Sequence, residues 1–274
     1  CNCGSSASLD INVECTVQAD INAVGNTFEG SVGTGISLRN DLEPGGSIAL
    51  DVFDNIISHQ DFAGILLEDT GGTLTFRNGF NDLFQNGFNE LDGASFAPST
   101  LHVSPRFVDR TAGKLKLRSD SPLIDAGQVC TPGGVANPDA GGRHRLAGPT
   151  VDIGAYEFGA VVPTGGVFVG DDTPDSFGGT GGADIMCGYG DADVLDGAGG
   201  PDYVDGGGGG DILFGGGAGD LLFGQSGADL LCADDGHGND RVDGGKGIDS
   251  YHADSGDTLI SVEQQTPCVD STAR

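Results

Sequence analysis

Gly206–Leu231 reads GGGGGDILFGGGAGDLLFGQSGADLL. Nearly half of it is glycine, yet Asp211, Asp220 and Asp229 recur at every ninth position, each followed by two bulky apolar residues. Counting outward extends the register to Asp175, Asp184, Asp193 and Asp202 on one side. On the other side a two-residue insertion around Ala233–Asp235 shifts it, and it resumes at Asp240 and Asp249. Two residues after each aspartate stands Phe177, Met186, Leu195, Val204, Leu213, Leu222, Leu231, Val242 or Tyr251. Two residues before it the residue is mostly glycine. A glycine-rich acidic linker would not keep a large apolar residue at all nine places.

Each letter of the repeat has a physical reason. Six residues make a tight turn, where glycine adopts positive φ without steric cost. Three residues make a short strand, whose alternation sends the middle apolar side chain inward. Two repeats complete one turn of a parallel β-roll, and the inward residues stack into a thin core. Ordering so many glycines is entropically costly, so a core this thin calls for further binding energy at the turns.

The blocks GGGGGDILF, GGGAGDLLF and GQSGADLLC resemble the haemolysin-type (RTX) calcium-binding nonapeptide, G-G-x-G-x-D-x-U-x. The resemblance covers about residues 169 to 257. It implies a right-handed roll with Ca²⁺ (several ions) between turns that lie about 4.8 Å apart, held by aspartates and backbone carbonyls. The implied metal ligands are Asp175, Asp184, Asp193, Asp202, Asp211, Asp220, Asp229, Asp240 and Asp249. Asp175, Asp193, Asp211 and Asp229 are expected on one edge, and Asp184, Asp202, Asp220 and Asp240 on the other. The best sites are expected at Asp184/Asp202, Asp193/Asp211, Asp202/Asp220 and Asp211/Asp229. The insertion puts Asp220/Asp240 and Asp229/Asp249 in doubt. Asp191 and Ala218 replace one turn glycine, and Thr180, Tyr189, Ala198 and Gln225 another, so some turns should be strained. Ile185, Val194, Tyr203, Ile212, Leu221 and Leu230 follow the aspartates and should face outward with Phe214 and Phe223. Such stripes are either ordinary strand-favouring surface or a docking face.

Composition agrees with a cation partner. The chain has 274 residues, 41 acidic against 12 basic, and a net charge of −29. Nucleic acid, which needs Lys and Arg clusters, is not expected as a partner. High charge also marks disorder, but 37% of the residues are hydrophobic and they recur in order. No apolar run reaches the roughly 18 residues of a membrane span. Opening at Cys1, the chain reads as a fragment or a processed form. Seven cysteines, Cys1, Cys3, Cys15, Cys130, Cys187, Cys232 and Cys268, fit no zinc spacing, and their pairing is left open.

A weaker repeat precedes the roll. Asn26, Gly35, Ile36 and Leu38 match Asn55, Gly64, Ile65 and Leu67, all at one constant offset, with Asn78 or Asn81 next in line. That period suits coils of a parallel β-helix with stacked asparagines; a β-sandwich with two similar hairpins is the competing reading. SPRFVDRTAGKLKLRSDSPLIDAG and DAGGRHRLAGPTVDIGAYEFG then resemble the terminal segment of bacterial β-helix surface proteins, the choice-of-anchor Q region. The matching pieces include Phe107–Asp109, Leu115–Leu117, Ser121–Gly127, Arg143 and Val151–Glu157. The resemblance implies a cap that closes the last coil.

The expected organisation is all-β: coils of a parallel β-helix over 1–110, a cap over 111–160, a linker over 161–168, the roll over 169–262 and a tail over 263–274. The histidines His59, His102, His144, His237 and His252 are scattered, and Arg143-His144-Arg145 is the most catalytic-looking cluster. Asp51, Asp54, Asp61 and Glu68 read as solvated carboxylates. The function expected is a secreted or cell-surface, extracellular bacterial protein. Its roll folds on binding Ca²⁺ after type I export, and it serves adhesion or contact with a polysaccharide or cell-surface partner. The alternative is a polysaccharide lyase or alginate-epimerase-like enzyme, since β-helices host such chemistry, with its catalytic coils mostly upstream. A spacer in a longer surface protein is a third reading.

Overall fold

The computed structural model describes residues 9–14, 18–30, 32–41, 46–69, 72–91, 95–132, 139–143, 145–148, 150–159, 165–236 and 239–268. The chain divides into two compact units, Cys1–Val161 and Val162–Arg274. Among the described residues the protein is almost entirely β, with parallel sheets, and no helix is long and apolar enough to cross a membrane.

The first unit is a parallel β-helix with three strand stacks. Leu9–Glu14, Thr34–Asp41, Ala63–Asp69 and Phe88–Leu91 form one stack. Gln18–Val24, Ser47–Phe53 and Thr73–Gly79 form the second, and Thr27–Glu29, Ile56–Ser58 and Asp82–Phe84 the third. Ile36 pairs with Ile65 as the repeat requires, whereas Ile56 pairs with Asp82, so the later coil is the shorter one. Strand alternation drives one side chain in two into the interior, where Ile36, Leu38, Ile48, Leu50, Ile57 and Ile65 are fully buried.

An asparagine ladder runs up one corner. Asn55 Oδ1 accepts from the backbone N–H (2.9 Å) and Nδ2 (3.1 Å) of Asn26. Asn81 Oδ1 does the same for Asn55, at 3.0 Å each. Of the two third-coil candidates Asn81 is the ladder residue, because the shorter coil brings the corner forward; Asn78 instead bonds Ser95 and Ala97. A second corner stacks Gln60 on Asn86, whose Oδ1 accepts from the Gln60 N–H at 3.0 Å. Nothing in the sequence period marks that pair.

The segment expected to close the last coil does something different. The edge strand Asp82–Phe84 is met by Leu101, through Leu83 N–H to Leu101 O (2.9 Å) and Leu101 N–H to Asn81 O (2.7 Å). Residues 151–155 lie along the flank instead. The Gly154 N–H donates to Asp54 O (2.7 Å), and the Ala155 N–H to Thr27 Oγ1 (3.0 Å), so two successive coils are tied from the side. Leu123 and Ile153 bury themselves against Ile56 in this second small core.

The second unit is the roll. Val167–Val169, Ile185–Cys187, Tyr203–Asp205, Leu221–Phe223, Arg241–Asp243 and Thr258–Ile260 make one parallel sheet. Ser176–Gly178, Val194–Asp196, Ile212–Phe214, Leu230–Ala233, Ser250–Ala253 and Gln264–Gln265 make the other. Strands two nonapeptides apart pair in register, as in Leu195 with Leu213, so two repeats make one turn. All nine apolar repeat residues, from Phe177 to Tyr251, belong to the core between the sheets. The first strand begins in the last two residues of the segment expected to be a linker, and the last lies beyond residue 262.

Tyr189, Asp191, Ala198, Ala218 and Gln225 all hold positive φ, between 66° and 124°, as glycine replacements at such turns must. Thr180 is not among them. Ile185 and Tyr203, expected outside and exposed, are 0% and 8% exposed, whereas Val194, Ile212, Leu221, Leu230, Phe214 and Phe223 are half-buried. Cys232 and Cys268 form a disulfide that ties the end of the roll to its sheet. Cys1, Cys3 and Cys15 lie outside the described residues.

Candidate metal centre

The repeat aspartates form two ladders, one along each edge of the roll. Each backbone N–H donates to Oδ1 of the aspartate one full turn later. On one edge the donors are Asp175 to Asp193 (2.8 Å), Asp193 to Asp211 (2.9 Å), Asp211 to Asp229 (2.9 Å) and Asp229 to Asp249 (2.9 Å). On the other they are Asp184 to Asp202 (2.8 Å), Asp202 to Asp220 (2.8 Å) and Asp220 to Asp240 (2.7 Å). The insertion does not break the ladders: Asp220/Asp240 and Asp229/Asp249 stay in register, and the strands on either side of it, Leu230–Ala233 and Arg241–Asp243, keep their parallel partners. Two acids outside the nonapeptide register finish the ladders. Asp257 Oδ1 accepts from Asp240 N–H (3.1 Å), and Glu263 Oε2 from Asp249 N–H (2.7 Å). Neither has the repeat spacing, so nothing in the register flagged them.

The other oxygen of these aspartates is the unusual one. Oδ2 of Asp193, Asp202, Asp211, Asp220, Asp229, Asp240 and Asp249 is buried with no hydrogen-bond partner among the described residues. An unpaired buried charge is costly. Burial accordingly raises the carboxyl pKa of Asp202 to about 8, of Asp229 to about 7, and of Asp193, Asp220 and Asp240 to about 6, with Asp211 raised as well. In Asp202, Asp229 and Asp193, neighbouring carboxylates push the same way, while the backbone N–H bond opposes it.

Asp175 and Asp184 differ. Asp175 Oδ2 accepts from the Asp171 N–H (3.0 Å), and Asp184 Oδ2 from the Thr180 N–H (2.7 Å). The first two repeat aspartates thus already have an N–H on the oxygen that is orphaned elsewhere.

Glycine makes the space beside six of the seven orphan oxygens, all but that of Asp240. A Cβ on Gly188 would fall against Asp193 Oδ2 and the Gly206 carbonyl; one on Gly197 against Asp202 Oδ2 and the Gly215 carbonyl; one on Gly224 against Asp229 Oδ2 and the Gly244 carbonyl. For Asp193, Asp202, Asp229 and Asp249 the glycine five residues earlier therefore leaves open a cradle bounded by a carboxylate oxygen and a carbonyl of the next turn. Its donors are hard oxygens, the set that Ca²⁺ takes and softer metals do not favour. Unpaired carboxylate oxygens, a carbonyl beside these four and room kept by glycine fit a divalent hard cation.

A second acidic group lies in the first unit. One oxygen each from Asp125, Asp152 and Glu157 come within 4.8 Å of one another. Here the oxygens of Asp152 and Glu157 have partners. Asp152 accepts from the Asp125 (2.9 Å) and Phe158 (2.6 Å) N–H groups, and Glu157 from the Asp152 (3.0 Å) and Ala147 (3.2 Å) N–H groups. The buried Arg145 guanidinium donates to the Asp152 and Gly154 carbonyls beside them. Burial raises Glu157 to about 8 and Asp54 to about 7, with Asp152 raised too and Arg145 opposing all three shifts. This is a polar core under the flank segment. It also places the Arg143-His144-Arg145 run: Arg145 is the buried structural arginine, Arg143 is exposed, and His144 lies outside the described residues, as does His237.

The remaining sequence candidates do not converge. Asp51 and Asp54 are buried rather than solvated; Asp51 takes both ends of the Arg77 guanidinium at 2.6 Å each, and Asp54 Oδ1 accepts from the Gln128 N–H at 2.9 Å. Glu68 pairs with Arg39 at 2.7 Å, and Asp61 is exposed. His102 Nδ1 lies 3.0 Å from the Leu83 carbonyl, and His252 lies 3.0 Å from Asp234. No protein-family model, curated protein or solved structure matches this chain.

Proposed function

We propose that the second unit is a calcium-binding β-roll of the haemolysin-type (RTX) kind, and that Ca²⁺ completes its folding outside the cell. The observation that carries this reading is the row of seven buried Oδ2 atoms without partners among the described residues. Asp193, Asp202, Asp211, Asp220, Asp229, Asp240 and Asp249 would hold the ions with the neighbouring glycine carbonyls; Asp175 and Asp184 would contribute less. When bound, Ca²⁺ supplies positive charge and oxygen coordination where the protein offers neither a donor nor a cation. At low calcium the carboxylates stay protonated or repel one another. At extracellular calcium, near the ~10⁻⁴–10⁻³ M affinities of extracellular modules, binding stabilises the folded form by mass action.

The Cys232–Cys268 disulfide supports an oxidising, extracytoplasmic location. The first unit, a β-helix with its flank segment of the choice-of-anchor Q kind, would present the protein at a bacterial surface for adhesion or carbohydrate contact, after type I export. The reading is tested on the full chain by circular dichroism and calcium counting, titrating from chelator to millimolar Ca²⁺. The expected result is a gain of β signal and of thermal stability with several ions bound per chain. An unchanged spectrum and unchanged melting in chelator would refute it.

A further inference from the structure

Basic residues of this acidic chain cluster in one short stretch. Residues 106–118 carry five of the 12 Lys and Arg against one acid, a net of +4 in a chain of −29. They form the antiparallel hairpin of Phe107–Asp109 and Lys114–Leu117 around the short 3₁₀ turn Arg110–Ala112. Beside it is a pocket of about 320 Å³ lined by His59, Phe84, Gln85, Ser104, Arg106, Phe107 and Arg110, with Pro105. That lies at the small end of the ~300–1,000 Å³ range of ligand sites.

Two features of the pocket bear on a ligand. The first is its corner geometry. His59, Gln85 and Arg106 hold φ of 56°, 53° and 54°. The equivalent corner of the preceding coil is Gly30, at φ 61°, and the opposite corner repeats the geometry at Gly25, Asp54 and Phe80. The corner backbone thus presents three side chains, those of His59, Gln85 and Arg106, to the same pocket.

The second is unused donors. Arg110 Nη1 bonds Glu29 Oε1 at 2.9 Å, and Arg106 Nη1 bonds the Asp120 carbonyl at 2.6 Å and lies 3.4 Å from the Asp120 carboxylate. Among the described residues Nε and Nη2 of both have no partner, and both side chains are about half exposed, at 46% and 49%. His59 is fixed by Glu29 at 3.2 Å and meets Phe84 edge-on, with ring centroids 5.6 Å apart.

We propose that this pocket binds an acidic saccharide unit. The guanidiniums of Arg106 and Arg110 grip the sugar carboxylate, for which their planar fork is matched. Phe84 and Phe107 supply an apolar floor for the C–H face of the ring, and Ser104 and Gln85 bond its hydroxyls. The surrounding negative charge disfavours a long polyanion such as nucleic acid and leaves room for a short charged unit. This ligand rests on the carbohydrate-contact role of the first unit alone, and its failure would leave calcium binding by the roll untouched.

The test is calorimetric titration of the full chain at constant millimolar Ca²⁺ with trigalacturonate, a neutral trisaccharide and inorganic phosphate. Trigalacturonate should bind at least roughly tenfold more tightly than the neutral sugar, and Arg106→Lys or Arg110→Lys, which keeps charge but loses the fork, should weaken it by roughly the same factor. Lys246→Ala, a cation of the roll, should leave binding unchanged, and dichroism should show all three variants folded. No binding of trigalacturonate, equal binding of the neutral sugar, tighter binding of phosphate, or indifference to both arginine variants would overturn the proposal.

Discussion

Asparagine in place of Asp202 should act in opposite directions with and without calcium. Asp202 is 2% exposed; its Oδ1 accepts from the Asp184 N–H at 2.8 Å, and its Oδ2 has no partner among the described residues. Asparagine keeps the Oδ1 bond and replaces the orphan oxygen with an amide that can donate towards the Gly215 carbonyl across the cradle. An unsatisfied buried polar atom costs about 1–3 kcal/mol, so in chelator above pH 8 the variant should be more stable than the parent by about that much. For a unit of this size the melting midpoint should rise by about 5 °C per kcal/mol. With calcium the sign reverses: one carboxylate is lost from a site whose affinity follows ligand charge, and the calcium midpoint should rise about tenfold, or ~1.4 kcal/mol. The assay is thermal unfolding by circular dichroism of the full chain, parent and variant, in chelator and in millimolar Ca²⁺. Asp202→Asn destabilising the protein equally in both conditions would refute the reasoning, since the carboxylate would then be a structural acceptor only.

Gly197→Ala should abolish calcium at one position, because its methyl would fill the cradle between Asp202 Oδ2 and the Gly215 carbonyl, and metal counting by mass spectrometry should find fewer ions per chain. The calcium midpoint should fall as pH rises from 6 to 8, since Asp193, Asp202, Asp220, Asp229 and Asp240 must lose protons held up to about 6–8; a flat dependence would contradict the ligand assignment. In the first unit Asp54 and Glu157 titrate at about 7 and about 8 when folded, above their unfolded values of 3.8 and 4.5. The folded state therefore binds more protons between these limits, and melting of the calcium-loaded chain should show this unit's stability full in acid and lost as pH rises through 7 and 8. Asn55→Ala should cost about 2–4 kcal/mol in denaturant unfolding, because it removes the acceptor of the Asn26 N–H and the donor to the Ala23 carbonyl inside the β-helix.

The roll was legible because its period is strict. A large apolar residue two places after each aspartate can only be an inward strand position, and all nine are in the core. The coils before it were fully legible only where their period is constant: Asn26 and Asn55 were found, while the shorter step left the third rung open between Asn78 and Asn81, and Gln60 over Asn86 was hidden because the two rungs differ in residue type. The insertion looked like a break in the sequence. Register in a parallel sheet depends on the strands, and those on either side of the insertion keep their partners. Burial of Ile185, Tyr203, Asp51 and Asp54 was not visible because local alternation says which side a residue faces and not what covers that side. Likewise the repeat marked Asp175 and Asp184 like the others, although backbone N–H groups from Asp171 and Thr180 already satisfy them.

The core of the roll is a single file of side chains on each sheet, Met186, Val204, Leu222 and Val242 facing Leu195, Leu213 and Leu231. Support then passes only from one rung to the next, as in a linear chain of nearest neighbours. A weak rung in the middle does not lower the strength of the whole evenly. It divides the array into two shorter blocks, each fraying from its own ends, and the length of the longer block sets how much order survives.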